Sequence, residues 1–202
     1  LRGFWGKDSI KRVVAVKGDL AQPKLGVSKG DLTKLKGKVK HLFHLGAVYD
    51  LEASAEEMHK ANIVGTESAL AFANAVNAGC FHLVSSIAAA GLYRGTFTED
   101  MFEEAEDLDH PYFRTKHDSE KVVRMECKRP FRIYRPGFVV GDSKTGYIDK
   151  IDGPYYFFKA LQKLRESWPR SIPLVGIEGG YINVVPVDFV VDALVHLSHQ
   201  PK

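Results

Sequence analysis

A tyrosine and a lysine four residues apart, Tyr112 and Lys116, form the pair with the clearest chemical potential in this chain. On a helix, residues i and i+4 share a face, so the phenol and the ammonium can enter one site. An ammonium beside a phenol stabilises the phenolate and lowers the pKa of the phenol. The pair therefore predicts general acid catalysis by Tyr112. The same spacing is also typical of a solvated helix face, so the interpretation depends on what surrounds the pair.

Two hydroxyls precede this pair at the end of an apolar run. Cys80-Phe-His-Leu-Val84 is typical of a buried strand, and Ser85 and Ser86 follow it directly. Small residues come next, up to Gly91. Open α/β sheets bind their ligands at the carboxyl ends of the strands. A serine at this point is therefore a candidate for holding a substrate oxygen.

Two other apolar runs end in residues suited to a cofactor. The run beginning at His41 stops at Gly46 and Ala47, where a backbone without bulk lets a flat cofactor approach closely. The run beginning at Arg12 ends at Gly18 and Asp19, whose carboxylate could accept a hydrogen bond from an adenine amino group. A turn carboxylate that bonds its own loop is the alternative interpretation of Asp19.

The elements that must position these residues alternate along the chain. Helical stretches separate five strand-like runs, which predicts an α/β fold with a parallel sheet. The strand-like runs lie near 12–17, 40–45, 80–85, 131–135 and 182–185. A helix is predicted from about Ser54, an N-cap with Glu57 three residues later, to Asn77 before Gly79. A second helix with an aromatic face is predicted from Pro154 to Leu164.

Composition excludes several classes of function. The net charge of +3 is too small to predict a nucleic-acid partner, and 45% hydrophobic residues suit a globular core. Two cysteines, Cys80 and Cys127, favour a reducing cytoplasm over a disulfide framework. The histidines show no metal-ligand spacing, so no metal is predicted. No apolar run approaches the length of a membrane span, and no signal peptide is recognisable.

The order and spacing of six motifs resemble the extended short-chain dehydrogenase/reductase superfamily over nearly the whole chain. The motifs are Gly18-Asp-Leu20, His44-Leu-Gly-Ala47, Asn62-Ile-Val-Gly-Thr66, Val84-Ser-Ser86, Tyr112-Phe-Arg-Thr-Lys116 and Tyr134-Arg-Pro-Gly137. The stretches around Asp109 to Lys116, Tyr134 to Gly141 and Ile182 to Phe189 are similar to the thioester-reducing, male-sterility branch. The Ser-Ser-Ile-Ala-Ala-Ala-Gly motif with Gly153-Pro-Tyr-Tyr-Phe-Phe158 is most similar to bacterial fatty acyl-CoA reductases.

This resemblance implies a Rossmann-like, doubly wound parallel sheet. It also implies that the chain is a fragment, because the glycine-rich pyrophosphate loop of the first β-α-β unit is not in the sequence. The fragment alone is expected to be inactive. Residues 1–202 would form a partial cofactor-binding domain, with 137–181 contributing to a small C-terminal substrate lobe. Further domains of the same chain are expected, and a homodimer is left open.

The resemblance also implies residue roles. Ser86, matched by counting back from Gly91, and Tyr112 would bond the substrate oxygen, and Tyr112 would deliver the proton. Lys116 would bond the nicotinamide ribose and depress the pKa of Tyr112. Asn62 would join a proton relay through water to Lys116. The other cofactor contacts would be Asp19, Leu20, Leu45, Gly46, Ala47, Pro136, Gly137 and Phe138. NADP(H) is favoured, with NAD(H) left open.

The implied activity is reduction of fatty acyl-CoA, or another acyl thioester, to an aldehyde, which would place the chain in lipid metabolism. A second reduction, of the aldehyde to an alcohol, is left open. One alternative is a sugar-nucleotide epimerase or dehydratase, which uses the same serine, tyrosine and lysine. The other is a non-catalytic module that binds a partner or an acyl chain. These interpretations share a cytoplasmic location, no membrane span and no nucleic acid.

Overall fold

A computed structural model describes residues 11–49, 53–148, 154–167 and 182–201. The chain divides into two compact units, Leu1–Arg135 and Pro136–Lys202. The predicted substrate lobe at 137–181 falls within the second unit, but much of it lies outside the described residues. Within the described part of the chain, no helix is long and apolar enough to cross a membrane.

The first unit is built on a parallel sheet of three strands in the order β1-β2-β3. The strands are β1 (His41–His44), β2 (Cys80–Val84) and β3 (Phe131–Tyr134). Phe81 of β2 pairs with Leu42 on one side and Phe131 on the other, so the carboxyl ends of all three strands meet at one edge. The predicted parallel α/β architecture is confirmed, and the three strands agree with the predicted runs near 40–45, 80–85 and 131–135.

Four α-helical segments accompany this sheet. They are α1 (Lys29–Leu35), α2 (Ala55–His59), α3 (Gly65–Ala75) and α4 (Pro111–Glu126). One turn of π-helix, Lys60–Val64, joins α2 to α3 without a break. Ser54 and Glu57 form the predicted capping box at the start of α2. The helical run ends at Ala75. Two residues later, Asn77 adopts a positive φ of 56°, so the chain has left the helix before it reaches Gly79.

Gly79 has a different role from the helix stop that the sequence predicts. A Cβ at this position would lie 2.6 Å from the carbonyl oxygen of Lys40, which enters β1. The Gly79 amide donates to the Val39 carbonyl at 2.9 Å, so the backbone itself touches the neighbouring chain segment. Glycine is therefore needed here for close approach of the segments that lead into β1 and β2.

The core lies between the sheet and helices α3 and α4. Ala69, Leu70 and Ala73 of α3 pack on Phe81 and Leu83 of β2. Full burial of a large apolar side chain such as Phe81 contributes about 1.5–3 kcal/mol. The small residues of α3 allow this helix to lie close to the sheet, which fixes the position of the π-helical turn at its N-terminal end.

The segment 12–17 does not form the strand that its sequence predicts. Residues 11–19 are exposed and have no regular secondary structure. A strand requires a neighbour for its backbone N–H and C=O groups, and among the described residues the sheet of the first unit joins only β1, β2 and β3. The alternation of Val13, Ala15 and Lys17 is present, but the pairing partner is not among the described residues.

In its described residues, the second unit contains two parallel strands and two helices. The strands are β4 (Phe138–Val140) and β5 (Val184–Pro186), and the helices are α5 (Pro154–Ser167) and α6 (Val187–His199). The predicted strand near 182–185 is found two residues later and belongs to this separate two-stranded sheet. Strand β4 was not predicted, because glycine and proline surround it. The predicted helix from Pro154 is confirmed and extends to Ser167.

Candidate active site

Helix α4 carries the polar residues that the sequence singles out, and it buries them. His110 caps the helix by accepting from the Tyr112 amide at 3.1 Å, and Pro111 occupies its first turn. Val123 is the buried apolar residue of this helix, whereas most of its buried positions are polar: Thr115, Lys116, His117, Ser119 and Glu120. Apolar packing does not account for burial of so many polar side chains. They require hydrogen-bond or ionic partners, or a chemical role in a site.

The phenol of Tyr112 lies beside the hydroxyl of Ser86. Burial raises the pKa of Tyr112, and the side-chain hydrogen bond with Ser86 lowers it in part. Ser86 stands before the short 3-10 helix Ile87–Ala90, and its oxygen accepts from the Ala88 amide at 3.1 Å. The structure thus brings together the hydroxyl and the phenol that the sequence pairs, and it favours Ser86 over Ser85 for this position.

The ammonium of Lys116 lies 6.0 Å from the centroid of the Tyr112 ring. Only 6% of Lys116 is exposed. Burial lowers the pKa of Lys116 to about 8, and the carboxylate of Glu120 acts in the opposite direction. The predicted depression of the Tyr112 pKa by Lys116 is not the net result, because burial of the phenol outweighs the groups that stabilise its anion.

Ser85 has a buried hydroxyl with no hydrogen-bond partner among the described residues. It is 5% exposed, and its amide donates to the Tyr134 carbonyl at 2.8 Å. A buried unpaired hydroxyl is costly, so its place at the end of β2 is informative. This oxygen is free to bond a group that enters the site.

Asn62 lies in the π-helical turn and is held on three sides. Its amide nitrogen donates to the Val48 carbonyl and to the Thr115 hydroxyl, both at 3.0 Å, and its side-chain oxygen accepts from the Val48 amide at 2.8 Å. Turns of π-helix are frequent at functional sites, and this one aims Asn62 at helix α4. The water-mediated relay to Lys116 stays a prediction, since both amide hydrogens of Asn62 already have acceptors.

His44 and Thr66 belong to the same polar cluster, although the sequence did not identify them as site residues. His44 Nε2 lies 3.1 Å from the Thr66 hydroxyl, which donates to the Asn62 carbonyl at 2.6 Å. Burial, and then the nearby Lys116, lower the pKa of His44 to about 4, so its ring is neutral at ordinary pH. The available sequence signal was a histidine at the end of an apolar strand.

The residues predicted to line the cofactor have different surroundings in the structure. Leu20 meets Gly46, because a Cβ on Gly46 would lie 2.7 Å from a methyl carbon of Leu20. The glycine therefore accommodates Leu20, where the sequence predicted space for a cofactor. One oxygen of Asp19 accepts from the Ala21 amide at 2.9 Å, as in the turn-carboxylate alternative. Leu45 follows β1 and is 63% exposed, and Ala47 lies two residues further along.

Pro136, Gly137 and Phe138 belong to the second unit. The Phe138 amide donates to the Asn183 carbonyl at 2.7 Å, and Phe138 pairs with Val184. A Cβ on Gly137 would collide with that same Asn183 carbonyl, so glycine is required where the backbone leading into β5 comes close. The nicotinamide contacts expected of these three residues stay a prediction.

The polar groups at the strand ends fit a dinucleotide. Ser85 offers an unpaired hydroxyl, Lys116 offers a buried ammonium, and Ser86 and Tyr112 offer a hydroxyl and a phenol side by side. A ribose presents hydroxyls to such donors, and open parallel sheets bind ligands at this edge. The donor set is therefore suited to an NAD(P) ribose and a carbonyl oxygen in one place.

Comparison with known proteins agrees with this geometry. The family described as Male sterility protein matches residues 2–194. A component of the linear gramicidin synthase of Brevibacillus parabrevis is 32% identical over 202 residues, which is 96% of this chain and 4% of that protein. Aldehyde reductase lnbA of Aspergillus flavus is 28% identical over 206 residues, or 96% of this chain and 20% of that protein.

A solved structure shares the fold over almost the full chain. The terminal R domain from the myxalamid PKS-NRPS biosynthetic pathway superposes with a TM-score of 0.84 at 28% identity, covering 98% of this chain and 50% of that one. The chain thus spans half, or much less, of each of these three proteins. It belongs to the male sterility protein family, among the NAD(P)-dependent reductases of the extended short-chain dehydrogenase/reductase superfamily.

Proposed function

We propose that this chain supplies the catalytic residues of a reductase that converts an acyl thioester to an aldehyde. The observation that carries the proposal is the meeting of three groups at one strand edge. The Ser86 hydroxyl and the Tyr112 phenol share a hydrogen bond, and the Lys116 ammonium lies 6.0 Å from the centroid of the phenol ring. Groups that donate to a developing oxyanion are what reduction of a carbonyl requires.

Tyr112 is the proton donor in this proposal. Its pKa is raised, so the phenol is protonated at neutral pH and can donate to the carbonyl oxygen of the substrate as negative charge develops there. Ser86 donates a second hydrogen bond to the same oxygen. Lys116, with a pKa of about 8, is mainly protonated at neutral pH and stabilises the tyrosinate that remains after the transfer.

A reduced nicotinamide dinucleotide, when bound, would supply the hydride to the thioester carbon. The C–S bond of the resulting thiohemiacetal then breaks, which releases the thiol and leaves the aldehyde. Ser85 and Lys116 would bond the ribose hydroxyls of the dinucleotide, Asp19 and Leu20 would face its adenine, and Leu45 and Ala47 would lie along its back. Pro136, Gly137 and Phe138 would be near the nicotinamide. NADPH is the form we propose, with NADH as the comparison in the assay.

The proposed substrate is a thioester, of either coenzyme A or a carrier protein. The resemblance to fatty acyl-CoA reductases supports a long-chain acyl-CoA. The name of one relative, a gramicidin synthase component, supports a peptidyl or aminoacyl thioester on a phosphopantetheine arm. The name of another, an aldehyde reductase, supports reductase chemistry at the aldehyde level. Both substrates share the thioester carbonyl that the three groups are suited to reduce.

The test measures oxidation of NADPH and of NADH by the full product of the gene that encodes this chain. Three substrates are compared: palmitoyl-CoA, an aminoacyl thioester of pantetheine and UDP-glucose. Faster NADPH oxidation with either thioester, with an aldehyde trapped as product, supports the proposal. Conversion of UDP-glucose without net NADPH oxidation would point to the epimerase alternative, and binding of an acyl chain without turnover would point to the non-catalytic module.

A further inference from the structure

Glu120 is a fully buried carboxylate one helical turn after Lys116. It is 0% exposed and lies four residues beyond the lysine on α4, so both side chains leave the same face of the helix. A buried carboxylate is costly without partners. Its presence in the interior of this unit calls for an explanation beyond packing.

Arg135 supplies the hydrogen-bond donors to this carboxylate. Its Nε lies 3.0 Å and 3.2 Å from the two carboxylate oxygens of Glu120, and its Nη2 lies 2.8 Å from one of them. Arg124 adds a longer contact of 3.8 Å. A bidentate guanidinium fixes the position of the carboxylate as well as its charge.

Aromatic rings hold the two arginines in turn. The guanidinium of Arg135 lies 5.1 Å from the centroid of Phe97 and donates to the Thr98 carbonyl at 3.4 Å. Arg124 lies 4.6 Å from the centroid of Phe102. The segment between Ser86 and Tyr112 thus contacts both arginines that bond to Glu120.

Lys116 needs a nearby negative charge because its surroundings disfavour an ammonium. Burial acts against the charged form, and the groups that interact with Lys116 include the neutral ring of His44 from β1 and the neutral phenol of Tyr112 on its own helix. Neither carries a compensating charge. The field of Glu120 favours the ammonium. Both oxygens of Glu120 bond to Arg135, and among the described residues no hydrogen bond joins Glu120 to Lys116.

We propose that Glu120, fixed by Arg135, is a positioning residue that keeps the Lys116 ammonium charged while leaving its hydrogen bonds available to a ligand. A direct ion pair would hold the charge but occupy the donors. A carboxylate one turn away supplies the charge without occupying them. The consequence for catalysis rests on the proposed function, whereas the consequence for Lys116 itself does not.

The test follows the Lys116 side chain directly by NMR, in the full gene product carrying 13C-labelled lysine and without added cofactor. Glu120→Gln keeps the shape and a hydrogen bond to Arg135 but removes the charge. We expect the titration midpoint of Lys116, about 8 in the structure, to fall to about 7 or lower. Glu126→Gln, an exposed change on the same helix, should leave it unchanged.

A second variant separates the charge effect from loss of folding. The double change Glu120→Gln with Arg135→Gln removes both charges, so no buried ion lacks a partner. It should also lower the Lys116 midpoint. An unchanged midpoint in a folded Glu120→Gln or double variant overturns the inference, because a merely structural ion pair would change stability and leave the lysine's titration alone.

Activity then distinguishes this inference from the proposed function. In Glu120→Gln, the high-pH limb of thioester reduction should move to lower pH together with the Lys116 midpoint. With midpoints of about 8 and about 7, the rate of the variant near pH 8 should be about fivefold or more below the wild-type rate. A lowered midpoint in a protein that reduces no thioester would contradict the proposed function and support the role of Glu120. An unchanged Lys116 midpoint in a variant that reduces thioesters normally would contradict the role of Glu120 and support the proposed function.

Discussion

The polar site has two halves that differ in how completely their hydrogen bonds are made. The bonded half is His44, Asn62 and Thr66. The open half is Ser85, Ser86, Tyr112 and Lys116. In the bonded half, each side chain is joined to another side chain or to the backbone. In the open half, the Ser85 hydroxyl has no partner among the described residues and burial lowers the pKa of Lys116.

The difference indicates which half is built for stability and which for chemistry. A fully bonded buried network fixes side chains and repays the cost of their burial. A buried group with missing bonds costs free energy in the ligand-free protein and regains it when a ligand supplies the bond. Substitutions in the two halves should therefore act on different quantities.

The largest expected effect is on turnover, from Tyr112→Phe in the open half. Loss of a positioned general acid typically lowers turnover about 10²–10⁴-fold. Because the phenol bears a desolvation cost, we expect the free energy of unfolding to change by less than about 1 kcal/mol. Steady-state NADPH oxidation and urea unfolding measure the two effects. Unchanged turnover would remove Tyr112 from the mechanism.

The second-largest expected effect is a loss of stability, caused by Asn62→Ala in the bonded half. The change leaves the Val48 amide and the Val48 carbonyl without the Asn62 partner and removes the bond that the Thr115 hydroxyl accepts, which should cost about 2–4 kcal/mol in the free energy of unfolding. Urea denaturation measures it, and Asn74→Ala, at an exposed position of α3, is the matched control. Equal stabilities for both variants would mean that the hydrogen bonds of the Asn62 side chain do not stabilise the fold.

The bonded half should also make stability depend on pH through His44. Its pKa is about 4 in the folded chain and 6.5 ordinarily, so the folded state resists protonation that the unfolded state accepts. The contribution is complete above about pH 6.5 and is lost as the pH falls toward 4, and it amounts to about 3 kcal/mol.

His44→Gln tests this dependence, since glutamine can still donate to Thr66 but does not titrate. The variant should lose less stability than the wild type between pH 6.5 and pH 4, followed by urea unfolding at several pH values. His59→Gln, at an exposed position of α2, should follow the wild type. A parallel course for all three proteins would mean that His44 is not the responsible group.

The smallest expected effect comes from Ser85→Ala in the open half. Its hydroxyl makes no hydrogen bond among the described residues, so removing it should leave stability unchanged or raise it by up to about 1 kcal/mol. Ser119→Ala is the contrasting variant, because the Ser119 hydroxyl donates to the Lys116 carbonyl at 2.8 Å and its loss should cost about 1 kcal/mol. Thermal unfolding of the ligand-free protein compares them.

Local patterns in the sequence were sufficient to predict the open half and the sheet that supports it. Tyr112 and Lys116 are neighbours on one helix, and Ser86 directly follows a strand, so periodicity and strand ends bring them to one edge. The predicted capping box at Ser54 and Glu57 was confirmed for the same reason, since all its bonds join near neighbours in sequence.

The bonded half and the failed strand depend on contacts that no local pattern contains. His44 and Thr66 meet across 22 residues, and Asn62 reaches Thr115 across 53. The strand pattern at 12–17 is locally good but lacks a pairing partner among the described residues, and strand formation requires one. Gly46 was assigned to cofactor space because the approach of Leu20 is a tertiary event.

The π-helical turn at Lys60–Val64 sets the rotation between the helical residues before it and those after it. Such a turn equals an α-helix into which one residue has been inserted, and the Gly65 amide here reaches back five residues to the Lys60 carbonyl. Deleting one residue from this turn would restore regular helix bonding but rotate one flank by about 100° relative to the other. Asn62 and Thr66 would no longer meet both His44 and Thr115. The spacing of the polar site therefore depends on the number of residues in this turn as much as on their identities.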